Sequence, residues 1–261
     1  QYETSSFISR YSISFLSPAE TRMLEQPDEY RNFINAFDRL FVYELMALSK
    51  ELFGHSTLDH VCGVHSLGLS IARQVNREGF PLDLGIISGS AAGHDIGKYG
   101  CRRSEQKRVP YLHYYYTDLW FQKQNIPYIG HIAVNHSVWD LELENLSLEA
   151  IILIYSDFRI KSKKNSNDMN VYSLQESFQV ILSKLDNVDE KKEKRYRRVF
   201  AKLKDFEDFL IDKGVNVNEI LFPENKGKIS KRELHYPLLH GEEIIQQIKY
   251  LSLQHSFLLM H

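Results

Sequence analysis

The stretch LDLGIISGSAAGHDIGKYG, residues 82–100, constrains this chain most. From Leu82 to Ala92 it is apolar or small at almost every position, so a helix there has no polar side for water and must be enclosed by other helices. It ends on His94 and Asp95, which an α-helix sets about 100° apart, with Lys98 one turn further on. An enclosed helix that delivers an imidazole and a carboxylate side by side needs a polar partner at that end.

The flanking sequence supplies the enclosing helices. Ser17, Pro18 and Glu20 form an N-terminal signal, cap, first turn and capping box. From Asp28, apolar residues Tyr30, Phe33, Ile34, Phe37, Leu40, Phe41, Leu45 and Leu48 recur every three or four positions until Gly54, which predicts one long helix. Ser56 with Asp59 opens another, striped by Val61, Val64, Leu67, Ile71 and Ala72. Helical patterns also fit 83–94, 112–124, 128–137, 147–160, 173–186 (opened by a second capping box, SLQE), 189–213 and 241–254. Alternating strand patterns are nearly absent, and the expected fold class is all-α.

With 261 residues, 43% hydrophobic and 25% charged, the chain has ample material for a core. The net charge of −2 demands no nucleic-acid partner. No run of 18 apolar residues suits a membrane, and no signal peptide opens the chain. Two cysteines, Cys62 and Cys101, are too few for a disulfide framework, which points to a reducing cytoplasm. The start at Gln1 and the apolar end HSFLLMH read as a piece of a longer polypeptide, so a further domain of the same chain is an expected partner.

Seven of the eleven histidines fall between positions 55 and 136. His60 lies on the apolar side of its helix with Val64 and Ile71. Asp157 sits in IILIYSDF, a helix otherwise apolar all round, where an unpartnered carboxylate is costly. His60, His94, Asp95 and Asp157 together make a four-ligand set suited to a divalent transition metal.

These residues, with HDIGK at their centre, resemble the HD superfamily of metal-dependent phosphohydrolases over residues 56–160. The resemblance implies a compact helical bundle, a cofactor among Fe, Mn, Ni, Co and Mg, and hydrolysis of phosphoesters or phosphoanhydrides of nucleotides or related small molecules. It divides the chain into an N-terminal helical segment (1–54), an HD core (55–165) and a C-terminal helical extension (166–261). One branch, similar to bacterial hydrolases of symmetrical dinucleoside tetraphosphates, holds a second metal with two further histidines. By that likeness His113, opening a helix, and His136, closing IAVNH, join the set, and Asp95 bridges two ions. His131, five residues from His136, is assigned to support of the site or to structure, and His65, five from His60, to packing or the surface. The GYP tripeptide of cyclic di-GMP phosphodiesterases is absent.

Gly97 is expected to let the chain turn tightly so that Lys98 reaches back towards phosphate, as both catalytic and substrate-binding group. Arg102, Arg103, Lys107 and Arg108 follow in a basic loop over the cleft mouth, where Arg102, Arg103 and Arg108 are candidate substrate contacts. Residues 159–204 carry 13 Lys and Arg against 6 Asp and Glu, while the remainder carries 19 against 28. At its end, DEKKEKRYRRVFAKLKDFEDF, with Val199, Phe200, Leu203 and Phe206 on one face, reads as an amphipathic helix packed on the core with a solvated side. The alternative to an enzyme is an HD-fold sensor or scaffold whose basic C-terminal surface binds RNA or a protein.

Overall fold

The computed structural model describes residues 3–9, 13–40, 42–47, 57–137, 141, 145–162, 169–184, 188–220 and 232–238. The expected helix signals at Gly54 and Ser56 and the helix over 241–254 lie outside them. The fold is all-α: α1 (Pro18–Arg22), α2 (Pro27–Arg39), α3 (Val42–Ala47), α4 (Leu58–Arg77), α5 (Leu84–Gly93), α6 (Val109–Lys123), α7 (Pro127–Val134), α8 (Leu148–Arg159), α9 (Leu174–Lys184) and α10 (Glu190–Asp212). Two 3-10 helices, Ile96–Tyr99 and Arg103–Arg108, join α5 to α6. No described helix is long and apolar enough to cross a membrane.

The enclosed helix is α5. It packs against α2, α4, α7 and α8, and its glycines allow the approach: a Cβ at Gly89 would lie 2.8 Å from Ile129, and one at Gly93 2.6 Å from the Phe121 ring. Asp83 caps α5, accepting from the N–H groups of Gly85 (2.7 Å) and Ile86 (3.1 Å). Its other oxygen accepts from the N–H groups of Glu25 and Gln26, which ties the start of α2 to the start of α5. Buried Glu29 on α2 accepts from the N–H groups of Tyr128 (2.6 Å) and Ile129 (3.0 Å), satisfying the first turn of α7. The Ser17–Glu20 capping box forms, and Ser173 with Glu176 makes the same reciprocal bonds.

Three boundaries differ from the sequence pattern. The stripe from Asp28 onwards is broken at Leu40, which ends α2 before α3 begins. Apolar spacing runs on through the break because both helices bury the same side. Two segments far apart in the chain also pair as strands, β1 (Glu3–Ser9) antiparallel to β4 (Arg232–Leu238), in register from Glu3↔Leu238 to Ser9↔Arg232. Leu234, Tyr236 and Leu238 do alternate, and Pro237 is tolerated because each strand of a two-stranded ladder is an edge. A second ladder, β2 (Ile160–Ser162) with β3 (Met169–Val171), follows α8 directly.

The C-terminal extension is packed on the core. α10 buries Tyr196, Val199, Leu203, Phe206 and Leu210. Arg159, 1% exposed at the end of α8, donates to Tyr172 O (2.7 Å), Tyr155 Oη (2.7 Å), Val217 O (2.6 Å) and Asn218 Oδ1 (2.9 Å). Tyr155 in turn donates to Glu207 of α10 at 2.6 Å.

Candidate metal centre

Five elements bring six side chains to one place. His60 comes from the first turn of α4, His94 and Asp95 from the end of α5, His113 from α6, His136 from just beyond α7, and Asp157 from α8. His94 is the C-cap of α5 in helical conformation (φ −58°, ψ −33°), while Asp95 opens the 3-10 helix Ile96–Tyr99 at φ −100°, ψ 4°. That change of pitch lets two adjacent side chains enter one cavity.

The atoms fall into two groups of three, His60–His94–Asp157 and Asp95–His113–His136, each with its donor atoms within 4.8 Å of one another. In the first, His60 Nε2 is 2.9 Å and His94 Nε2 3.8 Å from Asp157 Oδ1, and the two nitrogens are 3.4 Å apart. In the second, His113 Nε2 and His136 Nε2 are 3.3 Å apart and lie 3.8 and 4.0 Å from Asp95 Oδ1. Asp95 faces both groups, because its Oδ2 lies 3.7 Å from His94 Nε2 and 3.9 Å from His60 Nε2. The open side is at His60 and Asp157, whose side chains are 25% and 24% exposed against 0–7% for the other four.

Backbone carbonyls fix the tautomers. His94 Nδ1 donates to Ala91 O (2.8 Å), His113 Nδ1 to Val109 O (2.8 Å) and His136 Nδ1 to Ala133 O (2.6 Å). A carbonyl oxygen only accepts, so each Nδ1 carries the proton and each Nε2 presents a lone pair. Burial holds all three imidazoles neutral by pushing their pKa down, that of His136 to about 4 with His94 adding to the effect. Burial opposes ionisation of the carboxyls, but Lys98 and the imidazoles outweigh it at Asp95, as the His60 hydrogen bond does at Asp157. Both stay well below the usual carboxylate range.

The donor set fits a cation. His113 Nε2 and His136 Nε2 are two acceptors facing each other and a carboxylate, an arrangement that repels unless positive charge sits among them. Donors bound at about 2.1 Å to one first-row ion lie roughly 3 to 4 Å apart, the scale of both groups. Buried His and Asp groups here are able to hold a metal ion.

Other expected residues fall as follows. Lys98 Nζ lies 2.6 Å from Asp95 Oδ2, on the face shared with His60 and His94, and this pairing raises its pKa against burial. Arg102 and Arg108 are exposed, and the basic segment is a 3-10 helix rather than a loop, held by Glu105, which accepts from Arg102 N–H and from the Tyr116 hydroxyl. The structure describes the backbone of Arg103 but not its side chain. His113 lies four residues inside α6, which starts earlier than its pattern suggests because Pro110 occupies the first turn. His136 lies two residues past α7 rather than on it. His131 is exposed, and His65 is buried, with Nε2 2.8 Å from Ser88 Oγ. Both cysteines are buried free thiols.

Gly97 needs a different explanation from the tight turn. The positive-φ glycines among the described residues are Gly79 and Gly214. A Cβ at Gly97 would instead run into His113 O and Thr117 N, and would sit 2.6 Å from Thr117 Oγ1. Gly97 N–H donates to that hydroxyl, which itself donates to His94 O. Thr117, unremarked in the sequence, thus fastens the HD turn to the helix bearing His113. Tyr114 and Lys161 also escape sequence reasoning. The Tyr114 ring lies 4.0 Å from that of His113 and 4.7 Å from that of His136, and Lys161 Nζ donates to Asp157 O at 3.1 Å. Only their i+1 and i+4 spacing from a ligand signals either one. No family model matches the chain, and neither a curated protein nor a solved structure is significantly similar to it.

Proposed function

We propose that this chain is a metal-dependent phosphohydrolase of the HD type, acting on a phosphoester or phosphoanhydride of a nucleotide or related small molecule. The observation that carries the reading is the pair of converging acceptor triads joined through Asp95. His60, His94 and Asp157 would hold one divalent cation, His113 and His136 a second, and Asp95 would offer one carboxylate oxygen to each. Such a pair supplies water of lowered pKa and charge neutralisation at phosphate oxygens.

The chain's own groups do the rest. Buried carbonyls orient three imidazoles with their lone pairs inward, so little reorganisation accompanies loading. Asp95 and Asp157 are ionised at neutral pH and need shed no proton. Lys98 holds its ammonium on the face shared with His60 and His94, where a phosphate bound against the cluster would replace Asp95 Oδ2 as its partner. Lys161, whose Nζ donates to the Asp157 carbonyl, adds a second positive charge beside Asp157. The enclosed ends at His113 and His136 keep bulk water from the inner triad.

Metal-stripped protein reloaded with Mn or Fe is expected to release phosphate from at least one member of a panel of nucleoside monophosphates, dinucleoside polyphosphates, deoxynucleoside triphosphates and non-nucleotide phosphoesters. Asp95→Ala is expected to abolish that turnover with its helical signal retained, since folding rests on the apolar stripes. Unchanged turnover in Asp95→Ala contradicts the reading. Loaded protein that hydrolyses nothing on the panel supports the sensor or scaffold.

A further inference from the structure

The two triads of the candidate centre are built unequally. The inner one, Asp95–His113–His136, has side chains only 4–7% exposed. The Tyr114 ring lies against both of its imidazoles, 4.0 Å from His113 and 4.7 Å from His136 between ring centres. Backbone carbonyls hold both with Nε2 inward. Their distances to Asp95 Oδ1, 3.8 and 4.0 Å, are too long for hydrogen bonds, so no contact between them and the carboxylate has to break before a cation binds.

The outer triad, His60–His94–Asp157, differs at three points. His60 and Asp157 are 25% and 24% exposed, and His60 Nε2 already lies 2.9 Å from Asp157 Oδ1. Among the described residues no backbone carbonyl orients His60 as Ala91 orients His94. Lys98 Nζ lies 2.6 Å from Asp95 Oδ2, the oxygen that faces His60 at 3.9 Å and His94 at 3.7 Å. An ammonium and a divalent ion drawn to one carboxylate oxygen repel each other, and burial leaves that repulsion poorly screened.

We infer that the two cation positions fill in order, with Lys98 as the gate of the second. The inner position is tight and retained. The outer one is weak and exchangeable until phosphate draws the Lys98 ammonium off Asp95 Oδ2. The inference rests on the two-cation reading of the site and adds its regulation: the centre is completed when the phosphate of a substrate is in place. Linkage makes the effect mutual, so whatever factor phosphate adds to the affinity of the outer ion, that ion adds to the affinity of phosphate.

The test is a titration of metal-stripped protein with Mn, free ion being read by electron paramagnetic resonance, so that no turnover is needed. Two unequal steps are expected in the wild type, the tight one lost in His113→Ala and the weak one in His60→Ala. Lys98→Met is expected to tighten the weak step about tenfold or more, the order of one charge-assisted contact, and to leave the tight step unchanged. Lys98→Arg, which keeps the charge, is expected to keep the weak step weak. Inorganic phosphate is expected to tighten that step more in the wild type than in Lys98→Met. Equal steps, a single step, or a tight step lost in His60→Ala overturns the inference. So does a weak step that Lys98→Met leaves unchanged or weakens, or a phosphate effect of the same size in that variant. Unequal steps gated by Lys98 in a protein that hydrolyses no phosphoester leave the inference standing while the hydrolase reading fails. Equal steps in a protein that does hydrolyse one overturn the inference alone.

Discussion

Asp95 turns Oδ2 towards His60 and His94 and Oδ1 towards His113 and His136, and that division depends on the backbone either side of it. Gly97 is the tightest point, because its neighbours there are backbone atoms of α6 that cannot step aside. Overpacking typically costs about 1–3 kcal/mol, and contact with backbone puts Gly97→Ala at the upper end. The expected fall in melting temperature is roughly 6–12 °C for a domain of this size, and an unchanged value in a thermal melt contradicts the account. Lys98→Met removes a charge-assisted contact worth about 1.5–3 kcal/mol. It is expected to cut kcat/KM on any phosphoester hydrolysed by ten- to a hundredfold, and equal kinetics would assign Lys98 a structural role alone.

His136 gives the metal-free protein a pH signature. Its imidazole is pushed down to about 4 by burial, with His94 assisting, against about 6.5 in the unfolded chain. Between those values the unfolded state binds a proton that the folded state does not, so stability falls as pH falls through that window. The loss from this group reaches about 3 kcal/mol at the low end. In EDTA, urea denaturation of His136→Asn is expected to decline less steeply between pH 6.5 and 4 than the wild type. Parallel declines contradict the assignment.

At the scale of elements, α8 is the most consequential. It carries Asp157, and two residues later Arg159 ties its end to Tyr172, to the 217–218 segment and, through Tyr155, to Glu207 of α10. Breaking a buried, fully hydrogen-bonded charge costs about 3–5 kcal/mol. Arg159→Ala is therefore expected to lose that much in urea denaturation, whereas a loss under about 1 kcal/mol would show the extension to be loosely attached. Sequence reading located α8 and Asp157 because an acidic residue in an apolar helix stands out. It missed Arg159, since an arginine at a helix C-terminus looks like any solvated cation there. It missed the break at Leu40 for a similar reason, as both sides of the break bury apolar residues at helical spacing.

Across the whole molecule, the helices and His60, His94, Asp95 and Asp157 were legible because they depend on local chemistry, namely period, caps, and polar groups too deep to be left without partners, whereas His113 and His136 entered only through the resemblance to a dinuclear family branch. The pairing of β1 with β4 was not legible, because strand partners more than 220 residues apart leave no mark in either segment beyond the alternation at Leu234, Tyr236 and Leu238. Nor was the support around the site, which consists of a threonine, a glycine chosen for closeness rather than curvature, and three backbone carbonyls.

The central claim is that the six side chains hold two cations that share Asp95. It is tested most directly by counting metal per chain after reconstitution with Mn, in the wild type and in His113→Ala and His136→Ala made singly. About two ions are expected in the wild type and about one in each variant, in line with a two-metal site. One ion in the wild type, unchanged by either substitution, would contradict it.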